Sequence, residues 1–154
     1  MSSTNNLHGL TMEQFKELRS KTIAAKDVAY CPYSKFRVGS AVLCHDGTFV
    51  IGGNVENASY PVGICAERCT LVKAVTEGKK GFKALGVATD VKNPPASPCG
   101  MCRQFIREFC ELTLPIFMFD SDGEHVVMTL GQLLPMSFGP DSLPSAEEME
   151  KIRA

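Results

Sequence analysis

The chain has 154 residues, 44% of them hydrophobic, which suits one domain with a core of its own. Sixteen basic and seventeen acidic residues leave a net charge of −1, without the basic stripe that a nucleic-acid partner calls for. No apolar run is long enough for a membrane span, and seven cysteines without an apolar leader point to reduced thiols and a cytoplasmic protein.

Residues 1–10 are mostly polar and are expected to form a disordered leader, with a single domain over 11–154. Thr11-Met12-Glu13-Gln14 has the pattern of a capping box that opens a helix. Phe15, Leu18, Thr22, Ala25 and Ala29 recur on one helical stripe, and Pro32 stops the helix near Tyr30. Val38–Cys44 and Phe49–Val55 flank a His-Asp-Gly-Thr turn and predict a β-hairpin, with Gly52-Gly53 marking a bulge or a close backbone approach. Residues 56–63 read as a loop, and Cys65–Glu77 as a helix with Gly78 as its terminal cap. Phe82–Val91 is apolar enough for a central strand, and the proline-rich residues 93–98 break it from a helix over Cys99–Cys110. Pro115–Phe119 and His125–Met128 are further strands around the Asp122-Gly123 turn. Thr129 and Gln132 cap a short helix ending at Pro135, and Ser145 and Glu148 cap a terminal one. Helices alternating with strands give an α/β protein, a three-layer α/β/α sandwich around one mixed five-stranded sheet.

Cys65 and the Cys99-x-x-Cys102 pair all fall at expected helix starts, where free amides and the helix dipole favour thiolates. Three thiolates leave one position open on a tetrahedral zinc, which is the arrangement of a catalytic rather than a structural site. Glu67, two residues after Cys65, supplies a carboxylate that can move protons beside the metal without ligating it. Zinc with three thiolates carries a formal charge of about −1, so its surroundings must offset it. Arg68 and Gln104 are candidates to donate hydrogen bonds to the ligand sulfurs. The competing reading is a closed four-cysteine site with Cys69 as its fourth ligand, one turn into the helix after Cys65. Cys31, Cys44, Cys69 and Cys110 otherwise read as small buried hydrophobes.

Lone cysteine, glutamate and Pro-Cys-x-x-Cys together form a known zinc deaminase signature, here in its three-cysteine form. The chain also resembles the small homotetrameric cytidine deaminases from about Phe15 to Leu143. The likeness is carried by residues 30–36 (YCPYSKF), 54–61 (NVENASYP), 65–68 (CAER), 98–104 (PCGMCRQ), 133–135 (LLP) and 138–140 (FGP). The resemblance implies one zinc per chain and hydrolytic deamination of cytidine and deoxycytidine by zinc-activated hydroxide, in pyrimidine salvage. It implies that Glu67 shuttles protons, Phe36 packs on the pyrimidine, Asn54 and Glu56 bind ribose hydroxyls, and backbone groups at Ala66 hold the base. It implies a homotetramer in which Tyr60 and Phe138 reach a neighbour's pocket, although by local pattern both are loop aromatics. The expected partner is a nucleoside, with no nucleic acid and no membrane. Three other readings stay open: a deaminase of another aminopyrimidine, which the 54–57 stretch speaks against; a polynucleotide deaminase; and a structural-zinc interaction domain.

Overall fold

The computed structural model describes residues 7–154. The expected leader lies outside the described residues as far as position 6. Within its last part, Leu10 is buried and Leu7 packs against the core, while the His8 ring stands edge-on to Phe117.

Helix α1 spans Met12–Ala24, and its capping box is present: Thr11 Oγ1 accepts from Gln14 N, and Gln14 Oε1 accepts from Thr11 N, both at 3.1 Å. The α-helix stops earlier than Pro32 alone requires, because residues Ala25–Val28 tighten into a 3₁₀ turn. That turn lies against the start of strand β1 (Val38–Cys44), where a Cβ on Gly39 would come within 2.5 Å of Lys26 N and Thr22 O. Strand β2 (Phe49–Gly53) pairs with β1 in unbroken antiparallel register. Gly52 and Gly53 therefore serve close approach, not a bulge. A Cβ on Gly52 would meet Thr70 N at 2.9 Å, and one on Gly53 would meet Ala29 N at 2.8 Å. The irregularity sits elsewhere, at Leu43/Cys44 against strand β3 (Phe82–Thr89).

Helix α2 (Ala66–Thr76) ends in a Schellman motif. Gly78 at φ +81° donates to Val75 O, and Lys79 donates to Ala74 O. Helix α3 (Gly100–Phe109) carries the chain from β3 to a parallel strand β4 (Pro115–Phe119), and β5 (His125–Thr129) returns antiparallel to β4. The sheet order is β2-β1-β3-β4-β5. Helix α4 is a single capped turn, Leu130–Leu133, and α5 (Ala146–Arg153) is an exposed terminal helix whose capping box forms as expected.

Alternation along the strands divides the core in two. Val42, Leu85, Ile116 and Met118 face Leu71 of α2 and Ile106 of α3. Ala41, Leu43, Phe117 and Phe119 face Leu18 of α1. The mixed sheet is thus covered on both faces, as a three-layer α/β/α sandwich. No helix among the described residues is long and apolar enough to cross a membrane.

Candidate active site

Cys65 is the N-cap residue of α2 and Cys99 that of α3, both with extended backbone, while Cys102 lies in the first turn of α3. The two helices run side by side on the same sheet face, so their starting ends converge. The three sulfurs all lie within 4.8 Å of one another, and they form the one metal-competent cluster of this kind among the described residues. Cys65 Sγ and Cys99 Sγ are 3.9 Å apart. Tetrahedral thiolates at about 2.3 Å from zinc stand about 3.8 Å apart, so the donor set and its spacing fit that ion. Cys69 is not part of the cluster, which removes the closed four-cysteine arrangement. Cys44 and Cys110 are buried as expected, whereas Cys31 and Cys69 are half-buried.

The electrostatics follow from this crowding. The Cys65 thiol is pulled down to about 5, first by a hydrogen bond from Cys102 and then by one from Arg68. Cys102 moves the opposite way, because it donates to Cys65 and is desolvated. Arg68 Nη2 lies 3.8 Å from Cys65 Sγ, while its buried Nε has no hydrogen-bond partner among the described residues. An arginine with an unsatisfied buried N–H beside thiolates suits a site that gathers negative charge. Glu67 is only 3% exposed, and its carboxyl is pushed up, first by burial and then by the charge of Cys65.

A cavity of about 490 Å³ opens beside the cluster, walled by Phe36, Asn54, Glu56, Tyr60, Cys65, Glu67 and Cys99. Most of the residues singled out from the sequence therefore converge on one space. Of the residues expected to bind substrate, two do not line it. Ala66 is fully buried at the start of α2, and Phe138 lies outside, 61% exposed. Tyr60, which the resemblance sends to a neighbour's pocket, lines its own chain's cavity and packs 5.8 Å from the Tyr33 ring. Gln104 does not reach a sulfur: its Nε2 donates to the Phe138 carbonyl at 2.9 Å, because its side chain lies along the 133–141 segment.

Asn54 and Glu56 hold the cavity wall as well as face it. Asn54 Oδ1 accepts from Val38 N and its Nδ2 donates to Phe36 O, both at 2.9 Å. Glu56 accepts from Tyr33 N at 2.9 Å and from Ser34 N and Oγ, so the turn that carries Phe36 is pinned to it. Sequence reasoning missed Ser34, Val87, Thr89 and Ser97, which also line the cavity. Val87 and Thr89 read only as central strand, and nothing local tells which end of a strand meets a pocket. Arg103 was missed too. Its guanidinium donates to Pro98 O, Ser97 Oγ and Leu133 O at 2.7–2.8 Å, fixing the approach to Cys99. The signal available was its place directly after the Cys-x-x-Cys pair.

The family model described as the cytidine and deoxycytidylate deaminase zinc-binding region matches residues 12–118. A cytidine deaminase of Sporosarcina psychrophila is 43% identical over 133 residues, covering 86% of this chain and 97% of the relative. A probable cytidine deaminase of Dictyostelium discoideum is 37% identical over 142 residues, with 92% and 95% covered. The crystal structure of cytidine deaminase from Burkholderia pseudomallei superposes with a TM-score of 0.77 at 38% identity, covering 84% of this chain and all of that one. A dCMP deaminase from a cyanophage, at 18% identity and a TM-score of 0.51, shares the fold. Relatives matched over nearly their whole length, on a chain whose three cysteines are spaced for zinc, show that this protein belongs to the cytidine and deoxycytidylate deaminase family of zinc-dependent aminohydrolases.

Proposed function

We propose that the protein hydrolyses cytidine and deoxycytidine to uridine and deoxyuridine with release of ammonia, as a cytoplasmic enzyme of pyrimidine salvage. The observation that carries this reading is Glu67, a deeply buried carboxyl that faces the cavity two residues from a cysteine of the metal cluster. Zinc held by Cys65, Cys99 and Cys102 supplies the Lewis acidity that makes water a nucleophile near neutral pH.

The chain's own side chains do the rest. Glu67 takes one proton from the attacking water and delivers it to the ring nitrogen next to C4, then takes the second from the resulting C4 hydroxyl and passes it to the departing amine. The water oxygen ends on C4 and the exocyclic nitrogen leaves as ammonia. Phe36 packs on the pyrimidine face. Asn54 and Glu56, already anchored to the wall, offer their remaining lone pairs and N–H to ribose hydroxyls. A carboxylate there repels a phosphate and so selects a nucleoside over a nucleotide. Arg68 offsets the charge of the sulfurs.

The reading includes a homotetramer with shared sites. Tyr60 stays on its own cavity, and Phe138 completes the pocket of a neighbouring protomer. Val62, Met101, Met136 and Leu143 are more than 60% exposed, which supports an assembly that covers them.

The test is ammonia release from free cytidine with a chelator control. Turnover of cytidine that chelation abolishes and zinc restores supports the proposal. Turnover of cytidine 5′-phosphate or of cytosine in a polynucleotide, but not of the free nucleoside, would replace the substrate. Zinc binding without turnover of any of them would leave a structural-zinc domain.

A further inference from the structure

Phe138 is exposed, yet the backbone around it is firmly held. Gln104 Nε2 donates to the carbonyl of Phe138 itself at 2.9 Å. Arg107 Nε donates to Ser137 Oγ at 3.0 Å, and Arg107 Nη2 pairs with Asp141. A Cβ on Gly139 would stand 2.4 Å from Arg107 Cζ, so the loop lies directly on the guanidinium and has no room for a side chain there. Arg107 is itself buried, at 9% exposure. A buried guanidinium is costly unless its hydrogen bonds are made.

Within one chain this rigidity achieves nothing for the aromatic ring. Phe138 joins neither core cluster and does not line its own cavity. Fixing a group before association is useful when a partner receives it, because the ordering cost is then met in advance. Gln104 and Arg107 lie on the helix whose first turn carries Cys102 and whose N-cap is Cys99.

We propose that Arg107, with Gln104 and Gly139, positions Phe138 for the neighbouring protomer's pocket and so acts in trans. Helix α3 then serves its own site through its first turn and a neighbour's site through the next. The inference rests on the shared-site reading above.

The experiment uses Arg107→Met and Gly139→Ala in the zinc-loaded enzyme. Gly139→Ala displaces the guanidinium while leaving the arginine in place, and it decides the matter if Arg107→Met does not fold. Each variant alone should keep its zinc and its kcat and raise KM for cytidine by about ten-fold, as expected for a displaced aromatic partner of the base. Each is then mixed with an equal amount of Glu67→Gln protein under verified subunit exchange and assayed far below KM. Hybrid contacts join an intact Glu67 pocket to an intact Phe138 donor, so roughly a quarter of wild-type activity returns, against about one-twentieth from simple dilution. A mixture that stays at the dilution level places Arg107 in its own chain's site and overturns the inference. Phe138→Ala mixed with Glu67→Gln is the control. If that pair fails as well, the shared-site reading falls; if it alone recovers, only the role of Arg107 falls.

Discussion

Glu67 shows how little a side chain's identity says without its surroundings. In the first turn of an isolated helix it would be a solvated carboxylate stabilised by the dipole. Here it is buried and lines the cavity, and burial, with the charge of Cys65, pushes its carboxyl up from the usual carboxylate range. Glu67→Ala should retain zinc and fold while losing at least about 10²–10⁴-fold in kcat, the usual worth of general acid–base catalysis. Metal content by mass spectrometry and steady-state kinetics on the same preparation check it, and near-wild-type turnover would refute the proton-shuttle role. Cys69 makes the complementary case. It is four residues from Cys65 yet outside the sulfur cluster, so Cys69→Ser should leave one zinc per chain, and X-ray absorption should count three sulfurs. A loss of metal on that substitution would bring the four-cysteine site back.

At the scale of elements, the site depends on how closely β2 lies under α2. Gly52 leaves no room for a methyl group against Thr70 N and Oγ1. Because one of these neighbours is backbone, Gly52→Ala must push the strand from the helix that Cys65 caps. A stability loss of about 1–3 kcal/mol is expected, measured by urea denaturation, with weaker zinc retention in parallel. On the other side of the site, Asp90 follows β3 and binds Arg37 and Lys26, at 3.0 and 2.9 Å. Its carboxyl is held below the usual range, first by the hydrogen bond from Arg37 and then by that from Lys26. A depressed folded pKa adds stability above the unfolded value and loses it as pH falls through the folded one. Asp90→Asn should therefore lower Tm at pH 7, and its gap to wild type should shrink below about pH 4, near the unfolded carboxyl value. The side chain is 42% exposed, so screening keeps the effect modest. A gap that widens in acid would contradict this pairing.

For the whole molecule, the exposed aromatics and methionines make assembly part of the catalytic question. If pockets are completed between protomers, activity per chain should fall on dilution through the dissociation range, while zinc per chain stays constant. Sedimentation and turnover measured over the same concentrations decide it. Constant specific activity in a sample shown to be monomeric would leave Phe138 as a surface aromatic.

The metal chemistry was readable in the sequence because it is local. Cys65, Glu67, Cys99 and Cys102 sit at helix starts whose signals lie within a few residues, and thiolate number alone sets the open coordination position. Capping boxes at Thr11, Thr129 and Ser145 and the glycine after α2 were readable for the same reason, since each is a short-range hydrogen-bond pattern. The cavity was not. Val87 and Thr89 enter it from the middle of the chain, Arg103 reaches 30 residues to Leu133, and Gln104 turns to Phe138 instead of sulfur. Alternation along a strand tells which residues share a face, but only the packed sheet decides which end of that face borders a pocket. The sequence by itself thus determined which three thiols can gather around one metal ion. Tertiary structure decided which side chains surround them, because those contacts join segments whose local patterns carry no information about one another.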